Sequence, residues 1–76
     1  MSRTQLRLSK RKYEVLNLIA MGNTVEQSGS VLGISRRTAY LYIYQLKEAL
    51  GAVSLPNLIL RAIEEGLLKV EISGQA

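Results

Sequence analysis

The chain of 76 residues contains no histidine and no cysteine, and it has no aspartate either. A general base, a covalent nucleophile or a metal site would therefore have to be built from glutamate, serine, lysine or tyrosine. The glutamates stand singly apart from Glu64 and Glu65, and no glycine pattern is typical of a loop that binds phosphates. We therefore expect no enzymatic activity, no cofactor and no metal. The lack of cysteine also excludes disulfides.

Long apolar runs are absent as well. No stretch approaches the roughly 20 apolar residues of a membrane-spanning helix, and the basic first dozen residues are not followed by the apolar segment of a signal peptide. We therefore expect a cytoplasmic protein with no membrane partner. At 76 residues the chain is near the lower size limit for folding alone, so helices or a partner subunit must supply stability.

Positive charge is in excess and unevenly distributed. The formal net charge is +4, from 10 Lys and Arg against 6 acidic residues. Residues 1–50 carry eight basic and three acidic residues, a balance of +5, whereas residues 51–76 carry two and three, a balance of −1. Although small basic proteins are common, a half with this excess favours an anionic partner such as nucleic acid.

Turn and capping residues predict an all-α, four-helix bundle. The helices are expected over residues 9–21, 25–32, 36–50 and 55–65. Each has a hydroxyl residue in position to cap it: Ser9, Thr24, Ser35 and Ser54. Outside residues 8–70, we expect a flexible basic arm at 1–7, which either touches phosphates or is simply frayed, and a tail at 71–76.

The second and third predicted helices form a helix-turn-helix. Only about three residues, starting at Gly33, separate them, so they must meet at a steep angle. Gly29 has no side chain to bury, and bulk at this position would push a neighbouring helix away. Ala39, six residues beyond the turn glycine, supplies a small inward-facing side chain on the third helix.

The third helix has two different faces. At about 100° per residue, one side consists of Ala39, Ile43, Leu46 and Leu50. The other side consists of Arg37, Leu41, Tyr44, Gln45 and Glu48. The first side is predicted to be core. The second, with Arg36 and Tyr40 nearby, is aromatic and basic, and we predict that it reaches the phosphates and base edges of DNA.

Two further surfaces allow alternative interpretations. Three cations in the first turn of the first helix, Lys10 to Lys12, oppose the helix dipole, so they indicate either an external anion or a solvated basic turn. The predicted inner stripe of that helix is Leu16, Ile19 and Ala20, with Val15 and Tyr13 on its flanks. The fourth helix has more apolar residues than one inner face needs: Leu58, Ile59, Leu60, Ala62 and Ile63. Either a second subunit covers the excess, or it is covered by Leu67, Leu68 and Val70.

Several motifs resemble the LuxR-type, or GerE-type, helix-turn-helix domain of bacterial transcription regulators. Leu8-Ser-Lys-Arg11 and Glu14-Val-Leu-Asn-Leu-Ile-Ala-Met-Gly22 are similar to the opening helix of that family. Leu32-Gly-Ile-Ser-Arg-Arg-Thr38 resembles the turn and the start of its recognition helix. Leu50-Gly51 and Gly66-Leu-Leu68 match the bounds of its fourth helix.

The resemblance implies a dimer on double-stranded DNA, with the third helix in the major groove. The implied base-reading residues are Tyr40, Leu41 and Tyr44. The implied phosphate-anchoring residues are Lys10, Arg11, Thr24, Arg36, Arg37, Thr38 and Lys47. The fourth helix is implied to pair two subunits on a two-fold symmetric site, and we expect this interface to include Leu58, Leu60 and Arg61.

The sequence departs from the family at positions that matter for base reading. The family usually has Lys, Asn and His near the positions of Tyr40, Leu41 and Tyr42, and isoleucine where Ser28 stands. Two alternatives to the dimeric regulator remain. One is a promoter-reading module like the last region of a sigma factor, which would bind RNA polymerase through the fourth helix. The other is a protein-interaction bundle whose exposed tyrosines form a hot spot.

Overall fold

Four α-helices form the part of the chain that the structure, a computed structural model, describes, namely residues 9–68. They are α1 (Lys10–Ala20), α2 (Val25–Leu32), α3 (Arg36–Leu50) and α4 (Leu55–Glu64). The all-α prediction is confirmed, and the helix ends differ from the predicted ones by one residue at most. The predicted arm at 1–7 and tail at 71–76, like Val70, lie outside the described residues.

Hydroxyl caps begin all four helices. In each case a side-chain oxygen accepts a hydrogen bond from a backbone N–H of the first turn, at Ser9, Thr24, Ser35 and Ser54. At α2 the bond is reciprocal: Thr24 Oγ1 accepts from the Gln27 N–H at 3.0 Å, and Gln27 Oε1 accepts from the Thr24 N–H at 2.9 Å. Such a cap typically stabilises a helix by about 1 kcal/mol, because these donors have no partner within the helix.

The turn between α2 and α3 depends on two glycines. Gly33 ends α2 in the left-handed region, at φ 72°, where a residue with a Cβ is strained. The next residue, Ile34, donates its N–H to the Gly29 carbonyl at 3.0 Å. Gly29 is buried against α3, so the absence of a side chain there permits the close approach of the two helices. The predicted helix-turn-helix is therefore present.

Helix α3 is the centre of the fold, since it packs against each of the other three helices. Its predicted inner residues are all buried: Ala39, Ile43, Leu46 and Leu50. They join a core that also contains Val15, Leu16, Ile19, Val25, Leu58, Ala62 and Leu68. Ser28 is the buried polar residue among the described ones, and its hydroxyl donates to the Thr24 carbonyl at 2.8 Å.

The inner stripe of α1 differs from the prediction by a rotation of the helix. Val15 is fully buried together with Leu16, whereas Ala20 is exposed. Val15 and Ile19 are one turn apart, so burying both turns Ala20 towards the surface. The larger side chains therefore occupy the core, and the prediction for Ala20 was wrong.

The structure corrects one residue of the predicted dimer interface on α4, Leu58. Leu58 has none of its surface exposed, because it packs in the core of its own chain, so it cannot contact a second subunit. Leu68 is buried in the same core and Leu67 is partly buried against it, so the chain covers part of its own apolar excess. Leu60 remains 51% exposed.

Arg61 connects α4 to the end of α3. Its Nε–H donates to the Leu50 carbonyl at 3.0 Å, and its Nη1 lies 3.3 Å from Glu64 Oε1. The Leu50 carbonyl is one of the last in α3 and has no partner within the helix, so this bond satisfies it. Arg61 thus has a role within the chain that its place in the sequence did not indicate.

Candidate nucleic-acid interface

The outer face of α3 presents the side chains that the sequence assigned to DNA. Tyr40, Leu41 and Tyr44 are all exposed, and Tyr44 is the most exposed of the three at 59%. Arg36 and Arg37 are exposed at the start of the same helix. Because the opposite face is locked in the core, the rotation of α3 about its axis is fixed, and with it the direction in which these side chains leave the protein.

Contiguous exposed apolar patches often mark interaction sites. Here two tyrosines and a leucine are exposed within a little more than one turn of helix. Tyr44 makes no side-chain hydrogen bond within residues 9–68, so its hydroxyl is available to a ligand. An aromatic and apolar strip beside two guanidinium groups suits a ligand that offers both phosphates and flat bases.

Glu26 on α2 joins two residues of α3, an arrangement that the sequence analysis did not predict. The Tyr40 hydroxyl donates to Glu26 Oε2 at 2.7 Å, and Arg36 Nη2 lies 3.5 Å from the same oxygen. The Arg36 guanidinium carbon is 5.8 Å from the centre of the Tyr40 ring. We call Glu26, Arg36 and Tyr40 the Glu26 cluster. It connects the first turn of α2 to the first two turns of α3.

Contacts within the Glu26 cluster shift the pKa of Glu26 and the pKa of Tyr40. The hydrogen bond from Tyr40 lowers the pKa of Glu26, with a smaller contribution from the charge of Arg36. The same hydrogen bond raises the pKa of Tyr40. Both shifts favour the same arrangement at neutral pH, in which the charged Glu26 carboxylate accepts a hydrogen bond from the protonated Tyr40 phenol.

The sequence analysis assigned no role to Glu26. Its spacing of ten residues from Arg36 has no meaning within one helix, and the contact exists because the turn folds α2 back on α3. One signal was available, since Glu26 is among only three acidic residues in the basic half of the chain. An isolated acid in such a region calls for a partner, and the cations nearest across the turn are the two arginines that begin α3.

The predicted phosphate-anchoring residues are in different environments. Arg36 remains 74% exposed despite its ion pair, so most of its donors are free. Arg37 and Lys47 make no ion pair within residues 9–68. Thr38 is tied to the α3 cap, where its hydroxyl oxygen accepts from Ser35 Oγ at 2.9 Å, and Thr24 belongs to the capping box of α2.

The basic first turn of α1 is only partly neutralised. Arg11 pairs with Glu14, at 3.1 Å between Nη1 and Oε1, whereas Lys10 is exposed and has no ion pair in the described part of the chain. A pair between two such exposed groups contributes at most about 1 kcal/mol. The positive field at this helix end therefore remains largely available to an anion.

Residues 9–68 contain neither a metal-binding group nor a membrane-spanning helix. No group of three or more acidic, histidine or cysteine side chains lies close enough together in this range to hold a metal ion. Within the same range, no helix has both the length and the apolar character that crossing a membrane requires.

The helix-turn-helix with an exposed, basic and aromatic second helix defines the chain as a DNA-binding domain. The family model of bacterial regulatory proteins of the luxR family, GerE, matches residues 6–62, three quarters of the chain. The chain therefore belongs to the luxR family and contains the DNA-binding domain of a transcription regulator. Searches of the curated proteins and of the solved structures gave no significant match.

Proposed function

We propose that this chain binds specific sites in double-stranded DNA as a dimer, with α3 in the major groove. The observation that carries the proposal is the outer face of α3, on which exposed tyrosines, a leucine and two arginines lie opposite a buried apolar face. A helix fits the major groove, where each base pair offers a distinct pattern of donors and acceptors. We also propose a cytoplasmic location, where bacterial DNA lies.

Phosphate anchoring is proposed for the cations and caps that surround α3. The anchoring residues are Lys10, Arg11, Thr24, Arg36, Arg37, Thr38 and Lys47. Arg37 is the strongest candidate, because it is exposed and has no ion pair within residues 9–68. Arg36 can contact a phosphate with the donors that Glu26 does not use. Such contacts set the position and register of the helix but carry no sequence information.

Base reading is proposed for Tyr40, Leu41 and Tyr44. The middle of α3 has no arginine that could form the bidentate contact typical of guanine. Leu41 suits the methyl group of thymine, whereas each tyrosine offers a single hydroxyl. We therefore expect recognition that depends on thymine methyl groups and on single hydrogen bonds.

Dimerisation is proposed through the exposed side of α4. Leu60 is half exposed there, while Ile59 and Ile63 are only partly covered by the core. Arg61 is also part of the proposed interface, because part of its side chain remains exposed. Burying this apolar strip against its symmetric copy would remove it from water, which is the main driving force for such contacts.

The salt dependence of binding to a duplex tests the proposal. Binding should weaken steeply as salt rises, because each phosphate contact releases a counterion. In the proposed dimer, replacing both Arg36 and Arg37 with alanine removes four phosphate contacts, so the magnitude of the slope of log K against log salt should fall by about 4. The matched control replaces both with lysine, which keeps the charge and should keep most of the slope.

Three results would contradict the proposal or a part of it. No binding to any duplex at low salt would favour a protein-interaction bundle, in which the exposed tyrosines contact another protein. An unchanged slope in the double alanine variant would remove the arginines from the interface. A chain that binds DNA but sediments as a monomer at high micromolar concentration would favour the sigma-factor-like alternative, with α4 bound to RNA polymerase.

A further inference from the structure

The Tyr40 hydroxyl donates its only polar hydrogen to Glu26. The distance of 2.7 Å between the phenol oxygen and Glu26 Oε2 is typical of a good O–H···O hydrogen bond. A phenol has one O–H to donate, and its oxygen keeps lone pairs that can accept. While this bond holds, the exposed side of the Tyr40 hydroxyl can only accept a hydrogen bond.

Glu26 is well suited to keep that proton where it is. Its carboxylate has no hydrogen to give when charged, so the direction of the bond is fixed. The hydrogen bond from Tyr40 lowers the pKa of Glu26 and raises the pKa of Tyr40, so both groups keep these states at neutral pH. Arg36, 3.5 Å from the same carboxylate oxygen, supplies a positive charge that favours the ionised acid.

The major groove distinguishes a group that accepts from a group that donates. Adenine offers the N6 amino group and cytosine the N4 amino group as donors, whereas guanine and thymine oxygens and the purine N7 atoms are acceptors. A hydroxyl with a free hydrogen can rotate to bind either kind. A hydroxyl locked as an acceptor can bind only the amino groups.

We propose that Glu26 is a specificity-determining residue, which makes Tyr40 select an exocyclic amino group of adenine or cytosine in the major groove. The inference rests on the proposed binding of DNA through α3 and adds to it the chemical group that one position reads. Glu26 is a positioning residue in this scheme, since it acts through the phenol. Its carboxylate is itself acceptor-only, so the Glu26–Tyr40 pair offers no donor to an acceptor atom.

The Glu26 cluster also gives a reason for an acidic residue on the surface that is proposed to face the DNA phosphates. A carboxylate there opposes binding to any duplex, and the residue therefore carries a cost in affinity. The hydrogen bond to Glu26 gives the Tyr40 hydroxyl one direction, and Arg36 lies 3.5 Å from the same carboxylate oxygen. Rigid placement of a polar group allows one hydrogen bond to discriminate between bases.

The test uses the full chain and bound sequences selected from a randomised duplex pool. Selection with the wild type and with Tyr40→Phe identifies the base that Tyr40 reads, since the preference at that position should be lost. At this base the exocyclic amino group is then deleted, with purine in place of adenine or 2-pyrimidinone in place of cytosine. The loss of one neutral hydrogen bond should weaken wild-type binding about twofold to tenfold and leave Tyr40→Phe unchanged.

Glu26→Ala supplies the decisive comparison. It frees the hydroxyl to donate, so bases with an acceptor at this position should be enriched and the amino group should matter less. Glu65→Ala removes the same charge at the end of α4, outside the proposed DNA interface. Glu65 makes no side-chain hydrogen bond within residues 9–68, and this variant should retain the wild-type preference.

The possible outcomes separate the inference from the function on which it rests. If Glu26→Ala selects the same bases as the wild type and as Glu65→Ala, or if Tyr40→Phe changes no position, the inference is overturned while DNA binding stands. A loss of wild-type affinity when an N7 acceptor is deleted with 7-deazapurine, without a loss when the amino group is deleted, also overturns it. A chain that retains no duplex at all contradicts the proposed function itself.

Discussion

Gly29 on α2 lies so close to Ala39 on α3 that a Cβ atom on the glycine would stand 3.2 Å from the Ala39 Cβ. The same added atom would be 3.4 Å from the Ile34 carbonyl oxygen. The first distance is shorter than most contacts of a Cβ and the second is at the lower end of ordinary contact, so α2 and α3 meet at a separation that suits a residue without a side chain. This contact helps to set the angle at which α3 leaves the turn.

We predict that Gly29→Val lowers the free energy of unfolding by about 1–3 kcal/mol, as overpacking in a core usually does. The added Cβ alone would lie 3.2 Å from the Ala39 Cβ, so we expect the helices to separate to accommodate the isopropyl group. Urea denaturation followed by circular dichroism measures the change. The matched control is Ser30→Val on the exposed side of α2, which should change stability by no more than about 0.5 kcal/mol. Equal effects in the two variants would show that Gly29 is not a close-approach residue.

The hydrogen bond between Glu26 and Tyr40 can be tested in the absence of DNA. We predict that Tyr40→Phe raises the pKa of Glu26, because that bond is the largest cause of its lowered pKa. A carbon-detected NMR titration of the Glu26 carboxyl measures this pKa directly. Tyr44→Phe removes the equivalent hydroxyl one turn along α3 and should leave it unchanged. A wild-type pKa at the ordinary value for glutamate would contradict the proposed cluster.

The two pKa shifts set a lower and an upper pH limit to the range in which this hydrogen bond stabilises the fold. Because the pKa of Glu26 is lowered in the folded state, its contribution is present above the unfolded pKa and is lost as pH falls through the folded pKa. Because the pKa of Tyr40 is raised, its contribution is present below the unfolded pKa and is lost as pH rises through the folded pKa. The difference in stability between the wild type and Tyr40→Phe should therefore be greatest between these limits, and small, since both groups are exposed.

Local sequence signals predicted most of the fold. Hydroxyl caps such as Thr24 and stop residues such as Gly33 act within a few residues of their partners, so their spacing along the chain identifies them. The buried face of α3 followed from helical periodicity in the same way. These features located all four helices to within one residue and identified the helix-turn-helix.

Features that depend on contacts between helices were not predictable in this way. Leu58 and Leu60 are both leucines on α4, and only the packing of α4 against α3 decides that one is buried and the other exposed. Glu26 and Arg61 contact residues on other helices, at Tyr40 and at the Leu50 carbonyl. Their sequence neighbours carry no trace of these partners, because the turns between helices create the contacts.

The proposed pairing through α4 predicts a clear difference between two exposed positions. Leu60→Glu should convert a dimer into a monomer, because a charge would have to be buried in an apolar interface. Val53→Glu introduces the same side chain at a position that is 85% exposed and lies outside α4, and this variant should remain dimeric. Sedimentation equilibrium at high micromolar concentration distinguishes the two states. A wild type that is monomeric under these conditions, or a dimer that tolerates Leu60→Glu, excludes this surface.

Tyr44 is predicted to contribute more to discrimination than to affinity. The side chain is exposed and has no hydrogen bond within residues 9–68, so Tyr44→Ala should leave the fold intact. Loss of a single hydrogen bond to a base should weaken binding to a selected site by about 0.5–1.5 kcal/mol per half-site while changing affinity for random DNA much less. Fluorescence anisotropy with both duplexes at one salt concentration gives the comparison. Equal losses on the two duplexes would remove Tyr44 from base reading.

The most direct measurement is selection of bound sequences from a random duplex pool by the wild-type chain. A dimer that reads bases through α3 should enrich one short motif, present as two inverted copies at a fixed spacing, since the symmetry of the site mirrors that of the protein. The motif should be rich in thymine, the base whose methyl group Leu41 suits. A pool that shows no enriched sequence would contradict specific reading by α3, and a single unrepeated motif would contradict the dimer.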